Sequence, residues 1–157
     1  MAVTSNITIT GYDALTLVDV PIASATLVAP GDLINLASDL AVVVDAAADS
    51  DTFIGPSLHA SLNGETFPIV VATRCTCRVT LASATALDIG DGLIYSAGAN
   101  GTDWTFAADA GSGVDIIFWS MQQLDTAGTG PVKVFTDSRE VVGARAAGAG
   151  LWDKADT

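Results

Sequence analysis

Few residues in this chain carry chemistry of their own. His59 is the only histidine, with Ser57 and Ser61 flanking it. A serine hydroxyl near an imidazole, with one of the many Asp carboxylates behind it, is the raw material of acyl transfer. No G-x-S-x-G elbow accompanies it, and a lone histidine beside Leu58 reads as an ordinary surface or core residue. Cys75 and Cys77 are the only cysteines. Structural zinc wants four ligands and only His59 is left to add a third, so two small apolar side chains on a buried strand face are the better reading. At i and i+2 on a strand the two thiols face the same way without disulfide geometry. Asp88, Asp91, Asp103, Asp109 and Asp115 sit in or near Gly-rich loops, where carboxylate and backbone oxygens could coordinate calcium. None matches the D-x-[DN]-x-[DN]-G loop, and Gly111-Ser112-Gly113-Val114-Asp115 occurs once where a calcium β-roll would repeat it. Turn-forming and solubilising Asp is the simpler account. No catalytic residue, metal or organic cofactor is expected.

Composition narrows the remaining classes. The chain has 157 residues, enough for one domain with a sizeable core. Only 15% of its residues are charged, well below the roughly 25% usual for a soluble domain, so much of the surface is expected to meet other protein. Eighteen acidic residues against six basic ones give a formal net charge of −12. No Lys or Arg precedes Arg74, and Lys133, Arg139, Arg145 and Lys154 fall near the end. Direct binding to nucleic acid depends on clustered cations and is set aside. The N-terminus lacks a basic segment followed by an apolar one, so no secretory signal is read there. Leu40 to Ala48, broken by Asp45, is too short to cross a bilayer. Free thiols and no signal fit synthesis in a reducing cytosol.

The elements that must position these residues read as strands. Ala86 to Asp125 organises the chain: short apolar strands separated by Gly, Asn and Asp turns, with no room for a long helix. Gly92 to Ser96 predicts a strand, Ala97 to Thr102 a hairpin turn around Asn100-Gly101, and Trp104-Thr105-Phe106 a returning strand with both aromatics on one face. Val114 to Met121 is nearly all apolar, as expected of a strand covered on both sides. Arg74 to Leu81 alternates, with Cys75, Cys77, Val79 and Leu81 inward. Pro131 to Thr136 alternates too, with Val132, Val134 and Thr136 opposite Lys133 and Phe135. Val3 to Thr10 predicts a strand or extended arm, Gly11-Tyr12-Asp13 a turn, and Pro21 an edge position. Asp137 to Glu140 predicts the cap of a short helix, and 146 to 157 a Gly-rich tail carrying Trp152.

One unit occurs twice. Gly31-Asp32-Leu33-Ile34-Asn35-Leu36 parallels Gly90-Asp91-Gly92-Leu93-Ile94-Tyr95, and the Asp45 to Ile54 stretch loosely parallels Ala107 to Ile116. Two copies are too few for a solenoid, so a doubled unit within one barrel or sandwich is expected. The fold class is therefore all-β: a single small β-barrel or β-sandwich over residues 28–137, with an N-terminal strand or arm over 1–27 and a C-terminal arm over 138–157.

Ala29-Pro30-Gly31-Asp32-Leu33-Ile34, a Val-rich middle strand, and Asp88-Ile89-Gly90-Asp91-Gly92-Leu93-Ile94-Tyr95 followed by an Asn-Gly hairpin form a pattern. Over Val28 to Thr136 it resembles the small β-barrel cement, or head decoration, proteins of tailed bacteriophages. The resemblance implies a structural protein of the virion exterior, made in the host cytoplasm, that binds the major capsid protein and stiffens the shell. It implies self-association, most often as a trimer, with no catalysis and no contact with nucleic acid or membrane. Shell and neighbour contacts are expected in the ends outside the resemblance, at Val3, Ile7, Ile9, Tyr12, Leu15 and Leu17 and at Arg145, Leu151 and Trp152. The competing reading is a β-sandwich or jelly roll that recognises carbohydrate or a host surface, with Trp104, Trp119 or Trp152 as a stacking platform. Trp104 and Trp119 lie in strands whose pattern predicts burial, which leaves Trp152. A hydrolase using His59 ranks third.

Overall fold

Alternating β-branched and aromatic residues, punctuated every few positions by Gly, Pro or Asp, produce short strands that cross and re-cross a small core. The computed structural model describes residues 5–22, 27–37, 40–43, 53–61, 68–82, 85–99, 102–109, 116–128 and 131–137. The strands are β1 Thr8–Tyr12, β2 Leu17–Val20, β3 Leu33–Ala37, β4 Leu40–Val43, β5 Phe53–Pro56, β6 Ile69–Ala72 and β7 Arg74–Leu81. They continue with β8 Thr85–Leu87, β9 Gly92–Ala99, β10 Thr102–Ala108, β11 Ile116–Ser120, β12 Leu124–Gly128 and β13 Pro131–Asp137. A single 3-10 turn, Ala14–Thr16, sits between β1 and β2. The protein is all-β, as the patterning requires. The short helix expected after Asp137 and the C-terminal arm lie outside the described residues.

β7, β10, β9, β11 and β13 pair in that order, and β13 pairs back to β7, closing a five-stranded barrel. Its interior is built by alternation: Cys75, Cys77, Val79 and Leu81 from β7 meet Val132 and Val134 from β13, Trp104 and Phe106 from β10, and Phe118 from β11. Each such aromatic contributes on the order of 1.5–3 kcal/mol by burial alone. β10 runs parallel to β7 and touches it only at Thr105–Thr80 and Phe106–Leu81. Below that point β1 occupies the same edge of β7, pairing Thr8 with Arg78 and Tyr12 with Cys75. Where β1 and β10 diverge, the Asn6 side chain bridges them. Its amide nitrogen donates to the Trp104 carbonyl at 2.8 Å and its oxygen accepts from the Trp104 N–H at 2.9 Å. A side-chain amide thus stands in for a missing peptide group and seals the seam.

The remaining strands repeat this plan. β2 pairs with β6, and β4, β3 and β5 form a second small sheet. Single bridges join the two at both edges, Ile22 to Ala41 in parallel and Ser57 to Val71 antiparallel, giving the ring β2-β4-β3-β5-β6. Its register matches that of the second ring over most of the ladders the two share, the exception being a slip between Thr105 and Phe106 in β9–β10 that β3–β4 lacks. Ile34 opposite Gly55 corresponds to Leu93 opposite Phe118, and in both copies a bulge follows, before Asn35–Phe53 and Ile94–Ile116. The duplication seen in the sequence is therefore real, but each copy makes its own ring rather than half of a shared one. Each unit's own strands supply the edge contacts that close its ring, β2 with β4 and β5 with β6 in the first, β7 with β10 and β13 in the second, while β1 is added to the second from outside it. The second half of the sequence alignment was also one residue out of phase, because the ladders pair Phe53, not Ile54, with the place held by Ile116.

Val20, Ile22, Val28, Ile34, Ala41, Ile69 and Val71 fill the first ring. Leu33, Phe53 and Ala72 point the other way and join the core of the second. The two rings are thus packed together through apolar side chains, with the Phe53 ring edge-on to Phe118 at 6.1 Å. The segment before residue 28 supplies β1 to the second ring and β2 to the first. Gly11, expected in a turn, lies inside β1, where the register slips between Ile9 and Gly11. A Cβ at Gly11 would sit 3.3 Å from Thr76 Oγ1, so glycine lets the bulged strand lie close to β7.

Candidate interaction surface

The turn that opens each unit is held by an aspartate. In the first, Asp32 N–H donates to the Ala29 carbonyl at 3.0 Å, and the Asp32 carboxylate accepts from Ala29 N–H at 2.9 Å. In the second, Asp91 N–H donates to Asp88 at 3.2 Å, and the Asp91 carboxylate accepts from Asp88 N–H at 2.9 Å. Even the serine that closes each turn is repeated. Ser57 Oγ donates to the His59 carbonyl at 2.6 Å, and Ser120 Oγ donates to the Gln122 carbonyl at 2.7 Å. Ser57 is buried and committed to this backbone geometry, while His59 is exposed and contributes its main chain. Nothing in these contacts joins the hydroxyl to the imidazole.

The two aspartates differ in setting. Asp91 is exposed, whereas Asp32 is fully buried and also accepts from Trp104 Nε1 at 3.3 Å. Burial pushes the Asp32 carboxyl above its ordinary value of 3.8, and the bonds from Ala29, Trp104 and Ser5 pull it back in part. The native state therefore holds this proton more tightly than the unfolded chain does. Stability from Asp32 is complete below the unfolded value and is lost as pH rises through the native one. In thermal unfolding across that window, wild type should lose stability relative to Asp32→Asn as pH rises. Parallel curves for wild type and Asp32→Asn would show that Asp32 does not titrate in this way.

The cysteines are buried, with their sulfurs 3.7 Å apart and unlinked. The Cys75 contact, together with burial, raises the Cys77 thiol well above its ordinary value and keeps it protonated. They are core residues. Among the described residues no three His, Cys, Asp or Glu side chains gather where they could hold a metal ion.

What the molecule does present is an apolar ridge at the join of the two rings. Asp13 builds it. Its carboxylate accepts from Leu15 N–H at 2.9 Å, capping the 3-10 turn, and its own N–H donates to the Arg74 carbonyl at 3.1 Å. Thr73 Oγ1 donates to the Thr16 carbonyl at 2.5 Å and fixes the other end. The turn so held lifts Leu15 into solvent, 95% exposed, between Tyr12 at 52% and Val18 at 39%. A cleft of about 210 Å³ opens beside Tyr12, between Asp13 and Arg74, with Thr76 and Phe135 in its walls. The Arg74 guanidinium, half exposed, reaches the buried Asp137 carboxylate at 3.9 Å.

The sequence matches no protein-family model and no curated protein.

Of the contact residues expected from the sequence, Tyr12 and Leu15 are on this ridge. Leu17 and Ile9 are half-buried against the core, and Ile7 is 3% exposed and part of it, so Ile7 anchors the N-terminal segment instead of presenting a surface. Val3, Arg145, Leu151 and Trp152 lie outside the described residues. Val18, 39% exposed, was not among the expected contacts. Trp104 and Trp119 are 0% and 1% exposed, which removes both as stacking platforms. Among the described residues no helix is long and apolar enough to cross a membrane.

Proposed function

We propose that this protein is a virion structural protein that docks on the outside of an icosahedral phage shell and stabilises it, without catalysis. The observation that carries the reading is the braced ridge of Tyr12, Leu15 and Val18. Three large apolar side chains are held in solvent by a network of hydrogen bonds, on a body that has rigid closed rings behind it. A monomer gains nothing from fixing a leucine in water, whereas a docking anchor gains the entropy it no longer has to lose on binding. The partners in this reading are the major capsid protein and further copies of the chain, with no role for nucleic acid, membrane or cofactor.

The test is a pelleting titration of purified protein against shells, from the same source, that lack it. Saturation at a fixed ratio to the major capsid subunit, with a raised shell-disruption temperature, is the expected result. Absence of binding by folded protein would end this reading and send the protein to a glycan screen. Leu15→Asp should weaken shell binding by at least about tenfold, the size of a hot-spot loss. Because Leu15 touches little of its own chain, the melting temperature of that variant should stay at the wild-type value.

A further inference from the structure

The two rings differ along one edge. In the second ring, β10 meets β7 only through Thr80 and Leu81. Beyond that junction β1 lies antiparallel along the same edge of β7, with Thr8 opposite Arg78 and Ile9 opposite Cys77. In the first ring the matching junction joins Ile22 to Ala41, and the matching edge is that of Leu17, Val18 and Asp19. The neighbouring ladders fix this correspondence: Asp19 faces Val70 as Arg78 faces Lys133, and Val18 faces Val71 as Cys77 faces Val134. Among the described residues no strand lies against this edge of β2.

The direction of the backbone suits the edge to pairing. Peptide groups alternate sides along a strand, so residues of one parity serve one neighbour and those of the other parity the next. The Pro21 carbonyl accepts from Ala41 N–H at 2.7 Å, on the side away from β6. Asp19 and Leu17 share that side by alternation, while Val18 and Val20 turn their N–H and C=O groups toward β6. The other strand agrees. The Val70 carbonyl accepts from Leu58 N–H at 2.9 Å, so Val70 serves the β5 side, and its neighbours Ile69 and Val71 serve β2.

Side chains give an independent sign. Val18 holds the inward position that Cys77 holds in the second ring, where Ile9 of β1 lies opposite and packs on the core. Cys77 is 0% exposed and Val18 is 39% exposed. An apolar side chain that the alternation turns inward is thus left in solvent on the ring for which the described residues supply no counterpart of β1.

We propose that the outer edge of β2 receives an extended segment of the shell's capsid subunit as an added antiparallel strand, in the way β7 receives β1. The inference rests on the shell-docking reading and names a contact by which that docking is made. Val18 ties the edge to it, since it belongs to the same exposed ridge as Tyr12 and Leu15. β1 is the template for the occupant: Ile7-Thr8-Ile9 sets an apolar residue on either side of a hydroxyl. The incoming strand should therefore carry an apolar residue opposite Val18 and a hydroxylic or basic one opposite Asp19, which is exposed. Main-chain bonds supply the affinity, and these two positions choose the strand.

The experiment is amide hydrogen exchange of the full chain, resolved by residue, free and bound to shells from the same source that lack it. In the free protein the Leu17 and Asp19 amides should exchange quickly, and those of Val18 and Val20, which serve the β6 ladder, slowly. Shell binding should slow Leu17 and Asp19 by at least about tenfold. Asp19→Pro removes the outward N–H and no bond of the β2–β6 ladder, and Pro21 lacks an N–H on the same side. Its melting temperature should stay near wild type while shell binding weakens by at least about tenfold. Asp19→Asn keeps the N–H and should bind within about fivefold of wild type. Shell binding that leaves Leu17 and Asp19 exchanging freely, or that survives Asp19→Pro, would overturn this inference and leave the ridge reading standing. Folded wild type that binds no shell would end both. Protection of the two amides in the free protein would also overturn it, assigning the edge to a second copy if it grows with concentration and to the chain's own residues if it does not.

Discussion

Gly31→Ala should destabilise the protein far more than Gly90→Ala, although the two glycines occupy the same position of the same turn. Both have positive φ, 94° and 95°, as the third residue of a type II turn demands. Both donate to a partner carbonyl, Gly31 to Ser57 at 2.7 Å and Gly90 to Ser120 at 2.8 Å. An alanine forced into that conformation costs about 1–2 kcal/mol at either site. At Gly31, however, a Cβ would collide with the carbonyl oxygen of Ile7 and press on Ser5, at 3.2 Å from its Cβ and Oγ. Relief requires the N-terminal segment to move, and with it the Asn6 bridge and the Ser5 contact to Asp32. Adding about 1–3 kcal/mol for overpacking, Gly31→Ala should lose roughly 2–5 kcal/mol in denaturant unfolding. Equal losses at the two sites would mean that the N-terminal segment is not tightly held.

The second large effect belongs to Phe118. Its ring is fully buried, edge-on to Phe106 at 5.3 Å within its own barrel and to Phe53 of the other ring at 6.1 Å. Phe118→Ala removes a side chain that both units use, and a fully enclosed site of this kind collapses poorly, so about 3–5 kcal/mol is expected. The comparison with Phe53→Ala is informative. If the rings melt as one cooperative body, the double variant should be less destabilised than the sum of the two single ones by about 0.5–1.5 kcal/mol, the aromatic pair being lost only once. Strict additivity, or two separate transitions, would show that the rings are energetically independent.

Much of the fold could be read from the residues alone, and the pattern of success has a physical cause. Arg74 to Leu81, Trp104 to Phe106 and Pro131 to Thr136 alternate because each has one face in the core, and all three take the burial they imply. Gly31-Asp32 and Gly90-Asp91 announced the repeated turn because a positive φ and a capping carboxylate leave few residue choices. What could not be read was set by partners distant in sequence. Asp32 and Asp91 look alike, and only the proximity of Trp104 and the N-terminal segment buries one and leaves the other wet. Tyr12 and Leu15 were expected to make contacts because they fell outside a resemblance, not because Asp13 and Thr73 hold that turn in place. Their exposure depends on a hydrogen bond from Thr73 that no local spacing reveals.

The Asn6 bridge also orders events in time. Its two bonds to Trp104 span 98 positions of the chain, and β1 finds its partner in β7 more than sixty residues downstream. During vectorial synthesis the first strand made therefore waits for β7, and Asn6 waits longer still, for Trp104 of β10. The first ring has all its strands once β6 is out, while the second cannot close until β13 has emerged to pair with β7, and its seam beside β10 also waits for the N-terminus to fold back. Such long-separation closures are the slow steps of folding, and the waiting edge is the exposed one.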